Sequence, residues 1–121
     1  MLPKQERLTR SSEFAYVYKQ KKYVANFLLI LYIGNKKSNL SKPTQVGFVV
    51  SKKIDKRSTT RNRIKRLIRE AYKKAKIQEN FSLNNYQNLI FIARADSAQA
   101  NFQTIHSAVI DCINKASKKF K

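Results

Sequence analysis

The sequence predicts an α+β domain: a small mixed sheet with α-β-β-α-β-α order. Three observations carry this. Apolar residues recur at helical spacing in two stretches, as Ile64, Leu67, Ile68, Ala71 and Ala75, and as Phe102, Ile105, Val109, Cys112, Ile113 and Ala116. Two other runs, residues 23–33 and 88–94, are β-branched, aromatic and aliphatic with no glycine or proline to break them, which is the pattern of buried strands. Finally, 121 residues with 42% hydrophobic content suffice for one core and not for two. Residues 1–121 therefore read as a single domain, with 1–10 and 118–121 expected as flexible ends.

In chain order, the first ten residues are polar and basic, a partly ordered arm carrying Arg7 and Arg10. Ser11 suits a helix cap with Glu13 in the first turn, and the helix should run to about Gln20 with Phe14, Val17 and Tyr18 on one side. Residues 23–33 read as one long strand kinked at Ala25-Asn26, with Leu28, Ile30 and Tyr32 on one face and Phe27, Leu29, Leu31 and Ile33 on the other. The turn formers of 34–43 make a hairpin loop, so residues 45–51 should return antiparallel. That second strand delivers Lys52 and Lys53 to the entry of a basic helix. After a connector at 78–85, the strand at 88–94 follows a crossover helix and should lie parallel to the strand before it. Asn101 caps the last helix.

Charge points to the partner. The chain carries 26 Lys and Arg against 7 Asp and Glu, a formal +19, and a polyanion is the natural complement. Between Lys52 and Lys76 twelve cations face two acids, Asp55 and Glu70. Opposite the apolar stripe of this helix fall Asn62, Arg63, Lys65, Arg66, Arg69 and Lys73. A merely solvated face mixes signs, whereas Lys65, Arg69 and Lys73 repel one another along one row, and arginine forks match phosphate oxygens. Membrane insertion is disfavoured, because the longest apolar run, residues 27–33, is far short of the roughly 20 residues a spanning helix needs. The amino terminus has no apolar signal core, so a cytoplasmic location is expected.

Catalytic residues are harder to find. The seven acids are scattered singly, Cys112 and His106 stand alone near the stripe of the last helix, and no metal-ligand spacing exists. Cys112 reads as a small core residue and His106 as a packed or edge one. A nuclease active by itself is disfavoured, and a helix-turn-helix DNA binder lacks the short glycine-containing turn between two helices.

The string Arg61-Asn62-Arg63-Ile64-Lys65-Arg66-Leu67-Ile68-Arg69, preceded by Val46-Gly47-Phe48-Val49-Val50-Ser51-Lys52-Lys53, resembles the RNR signature of the bacterial ribonuclease P protein component. The likeness extends from Arg7-Leu8 through Phe14, Tyr18, Val24-Ala25-Asn26 and Tyr32 to Ile92-Ala93-Arg94. Two departures stand at the helix entry: Asp55 where the family usually has Gly, and Ser58-Thr59 where it has a small apolar pair. The resemblance implies a left-handed β-α-β crossover and a ribonucleoprotein endonuclease that removes the 5′ leader of precursor tRNA. Its Mg²⁺-dependent catalytic centre would lie in an RNA subunit. It also implies that Lys52, Lys53, Arg57, Arg61, Asn62, Arg63, Lys65, Arg66 and Arg69 bind that RNA, while Phe14, Tyr18 and Tyr32 line a cleft for the single-stranded leader. A ribosomal or other structural RNA-binding protein would share the charge and fold but need no such cleft.

Overall fold

The computed structural model describes residues 2–39, 41–77 and 85–120; the expected connector lies almost wholly outside them. Its elements are α1 (Ser11–Lys19), β1 (Tyr23–Ala25), β2 (Leu29–Ile33), β3 (Gln45–Val49), α2 (Ser58–Lys76), β4 (Asn88–Ala93) and α3 (Phe102–Lys119). The strands form one mixed sheet in the order β1-β2-β4-β3. β4 has the most apolar run and takes an inner position, with Leu89, Ile90 and Phe91 fully buried. It pairs parallel with β3, as expected across a helical crossover, setting Phe48 beside Phe91. On its other side it pairs antiparallel with β2, Leu31 beside Phe91.

Strand alternation divides the sheet into two unequal halves. Leu29, Leu31, Ile33, Leu89 and Phe91 face α2 and α3, where they meet Ile64, Ile68, Tyr72, Ile105, Val109 and Cys112 in the main core. Each such side chain contributes roughly 1.5–3 kcal/mol by leaving water. Ile90 faces the other way, against Val17 of α1 and Leu8, with Phe14, Tyr18, Tyr32, Val49 and Ile92 packed around it. Those last five remain partly open.

Three expectations need correction. Residues 23–33 are two strands, not one: β1 folds back on β2 with Tyr23 opposite Tyr32 and Ala25 opposite Ile30. Asn26 makes the turn without glycine or proline, since its Oδ1 accepts from the backbone N–H groups of Leu28 (3.0 Å) and Leu29 (2.9 Å). The turn carries Leu28 and Phe27 out of the strand alternation, leaving Phe27 63% exposed. Secondly, β3 does not pair with β2, because β4 inserts between them. The loop after β2 is therefore a crossing and not a hairpin. Thirdly, the amino-terminal stretch is docked: Leu8 N–H donates to the Val46 carbonyl, Leu2 and Leu8 are buried, and Lys76 pairs with Glu6.

Asn26 also ties this turn to α3. Its Nδ2 donates to the Ala108 carbonyl (3.0 Å), Asp111 Oδ2 (3.1 Å) and Cys112 Sγ (3.3 Å). Burial beside the Asp111 charge pushes the Cys112 thiol up to about 12, which makes it inert packing. The Asp111 carboxyl titrates below its ordinary 3.8, held down by the Asn26 amide and by Lys115 at 3.0 Å. Further along the same edge, Lys115 and Lys119 of α3 donate to the carbonyls of Ala25 and Tyr23.

Asn26→Ala should lower stability by about 2–3 kcal/mol, since it unmakes the turn and the tether together; urea denaturation checks this. A depressed folded-state pKa means that the contribution of Asp111 is fully present above its unfolded value and lost as pH falls through the folded one. An NMR titration should therefore show the Asn26 side-chain amide losing its bound shift only below the ordinary Asp range.

Candidate nucleic-acid interface

Helix α2 buries Ile64, Ile68, Ala71, Tyr72 and Ala75, so its opposite side must carry what remains: eight Lys and Arg against the single acid Glu70. No acid occupies its first turn to oppose the positive pole of the helix dipole. Thr59, Asn62, Arg63, Lys65, Arg66 and Arg69 line a shallow groove along this side. Asn62, Arg63 and Arg66 are exposed, while Lys65 and Arg69 are half-buried at the margin. The Arg69 guanidinium lies over the Phe48 ring, 5.9 Å from its centroid. Lys52 and Lys53 are exposed in the turn leading to the helix.

The nine cationic and amide positions expected to touch RNA differ in what already holds them. Arg57 pairs with Asp55 (3.1 Å), and Asp55 Oδ1 also accepts from the Arg57 N–H at 2.8 Å. These bonds hold the Asp55 carboxyl below its usual range and raise the Arg57 guanidinium. Asp55, the departure from the family pattern, thus shapes the helix entry with a side-chain turn where glycine would supply freedom. Arg61 folds back onto the carbonyls of Asp55 (3.0 Å) and Lys56 (2.8 Å). Arg63 donates to the Ala98 carbonyl at 3.0 Å, joining α2 to the 3-10 turn before α3. Among the described residues, Lys52, Lys53, Asn62, Lys65 and Arg66 have no such partner.

The three aromatic positions come together on the opposite, thinly covered face of the sheet. Phe14 and Tyr18, one turn apart on α1, have ring centroids 6.3 Å apart. Tyr18 meets Tyr32 edge-on at 5.0 Å. Burial first, and the neighbouring Tyr32 second, raise the Tyr18 hydroxyl pKa, so this side chain stays a neutral donor. Sequence reasoning missed Gly47. A Cβ there would sit 2.5 Å from Phe14 Cζ and 2.7 Å from Cε1, so the ring occupies the space that only glycine leaves open. It also missed Tyr72, fully buried where the helical stripe widens, and Tyr23, whose ring continues the row beyond Tyr32 at 5.3 Å. Strand pairing gives that last neighbour, which no spacing within one element reveals.

The two surfaces meet. A groove of about 250 Å³, lined by Leu8, Phe14, Gly47, Phe48, Lys65 and Arg69 among others, runs between the first ring of the row and the cationic helix.

The family model for ribonuclease P matches residues 2–117. This chain belongs to the ribonuclease P protein family. The ribonuclease P protein component of Clostridium botulinum (strain Loch Maree / Type A3) is 37% identical over 113 residues, which cover 93% of this chain and 96% of the relative. That of Alkaliphilus oremlandii is 38% identical over 109 residues, 90% and 89% of the two chains. The solved ribonuclease P protein of Staphylococcus aureus superposes with a TM-score of 0.74 at 29% identity, covering 98% of this chain and all of that one. The Thermotoga maritima ribonuclease P protein, at 21% identity and a TM-score of 0.74, supports the fold. As a ribonuclease P protein, the chain is the protein part of a ribonucleoprotein that processes tRNA 5′ ends, and its partner is the ribonuclease P RNA.

Gly47→Ala should force the Phe14 ring aside and lower stability by about 1–3 kcal/mol. Adding Phe14→Leu should recover part of that loss, so a double-mutant cycle measured by denaturation will show coupling between the two positions.

Proposed function

We propose that the cationic side of α2 and its entry bind the ribonuclease P RNA, and that the row of Phe14, Tyr18 and Tyr32 holds the single-stranded 5′ leader of precursor tRNA. The observation that carries this reading is the groove from Phe14 to Lys65 and Arg69, through which one RNA strand leaving the aromatic row arrives at the cationic helix. Stacking on the rings is tolerant of sequence, because every base has a π face. Lys52, Lys53, Lys65, Arg66 and Arg69 neutralise backbone phosphates in this reading, and Asn62 adds a directed hydrogen bond. Arg57, Arg61 and Arg63 divide their donors between the protein and the RNA, an arginine having five. Gripping the leader favours precursor over product.

Among the described residues no three His, Cys, Asp or Glu side chains converge. The reading assigns Mg²⁺ to the RNA partner and leaves cleavage to that partner; the protein binds, positions and lowers phosphate repulsion. No helix among the described residues is long and apolar enough to cross a membrane, and the reading places the assembly in the cytoplasm, with its RNA.

Arg66→Ala should weaken binding to the catalytic RNA by about 1–3 kcal/mol with little change in melting, since Arg66 is exposed and has no partner among the described residues. Arg61→Ala should cost stability as well, because it strips two carbonyls at the helix entry of their donor. Tyr18→Leu should leave RNA assembly intact and lose about 1–3 kcal/mol of holoenzyme affinity for precursor tRNA but not for mature tRNA. Equal losses on both substrates would mean that the ring is only packing, and the leader assignment would fall. Log affinity for the RNA should also decline linearly with log salt, with Lys65→Ala flattening the slope by about one contact, roughly 0.7–0.9.

A further inference from the structure

The aromatic row extends one ring past the cleft. Tyr23 of β1 lies against Tyr32 at 5.3 Å with 32° between the ring planes, yet the residue is 46% exposed. It belongs to neither buried cluster, so core filling does not account for a large aromatic at this edge. The Lys119 ammonium lies over the Tyr23 ring, 5.8 Å from its centroid, and over that of Phe120 at 5.4 Å, and donates to the Tyr23 carbonyl at 3.3 Å, a long bond for a charged donor. Lys21 and Lys22 lead directly into the strand. A half-exposed ring with a loosely held cation over it is the pairing that takes a base and its phosphate together.

We propose that Tyr23 and Lys119 form an outer nucleotide subsite, in which a leader base stacks on Tyr23 and Lys119 moves from the strand carbonyl to the adjoining phosphate. The inference rests on the leader reading above and adds an address. β1 and β3 are opposite edges of the sheet, and Phe14 packs on Gly47 of β3, beside the groove that leads to α2. With the catalytic RNA on α2, a leader enters the row at Phe14 and reaches Tyr23 last. Tyr23 therefore meets leader nucleotides more distant from the cleavage site than those held by Phe14 and Tyr18, and short leaders never reach it.

The test is holoenzyme affinity for precursor tRNAs whose leaders are lengthened one nucleotide at a time, measured with Tyr23→Leu, Lys119→Gln and Tyr18→Leu. Tyr23→Leu should bind short-leader substrates like the parent and lose about tenfold on long-leader ones. Lys119→Gln should reduce the salt slope by about 0.7 on long leaders alone. A loss for Tyr23→Leu that is uniform in leader length, or no loss at any length, overturns the subsite. If Tyr18→Leu still discriminates precursor from mature tRNA in either case, only the outer subsite fails. If Tyr18→Leu is also indifferent to the leader, the leader reading itself fails.

Discussion

A helix with eight cations and one acid has to be held in place against its own field, and three packed rings do much of the holding. Phe48 of β3 lies nearly parallel to Phe91 of β4 at 5.9 Å, and Tyr72 of α2 closes on both, at 6.2 and 5.7 Å. Repulsion between exposed like charges one turn apart costs a few tenths of a kcal/mol per pair. Full burial of Ile64, Ile68 and Tyr72 contributes roughly 1.5–3 kcal/mol for each side chain, with about 0.5–1.5 more for each aromatic pair. Packing wins by a wide margin, so the cationic side can remain unneutralised in the free protein. Burial pushes the Tyr72 phenol far up, with the Glu6 charge adding to it, so this anchor stays neutral.

The sheet owes its accessible side to the inequality of its two covers. Two helices of 18 and 19 residues lie on one face, but among the described residues α1, with nine, is the only α-helix on the other. A polypeptide long enough to cover that second face would bury Tyr18, Tyr32 and Ile92 completely. Instead α1 stops where Lys21, at a φ of 55°, turns the chain sharply into β1. The rings are fixed on rigid elements yet only partly covered, a state in which a flat apolar partner gains contact without ordering the protein further.

Much of this architecture was legible in the residues, because period and charge are local. The stripe of α2, the burial of β4 and the Asn101 cap, which accepts from Thr104 N–H at 2.9 Å, all follow from spacing within one segment, and the parallel pairing of β3 with β4 from the order of elements. What failed was long-range or carried by one side chain. Nothing in residues 23–33 is a conventional breaker, and Asn26 turns the chain by bonds that also need α3, 82 to 86 positions away. Of the candidate site, Phe14 and Tyr18 were visible as a helical pair and Tyr32 by strand parity. Gly47 was not, since its value lies in what another element places over it. Nor did sequence show that Arg61 and Arg63 already serve the fold, because a cation's carbonyl partner leaves no mark on composition.

The lysines of α3 at the β1 edge have a further consequence. Tyr23 and Ala25 are two apart on a strand, Lys115 and Lys119 four apart on a helix, and both intervals are close to 6 Å. The spacing lets one helix occupy successive outward carbonyls of an edge strand. An open edge is a template on which another chain's strand can add, and recruitment of that kind is how sheets polymerise. With these two acceptors engaged and positive charge along its rim, this edge is a poor template for a second copy of the strand.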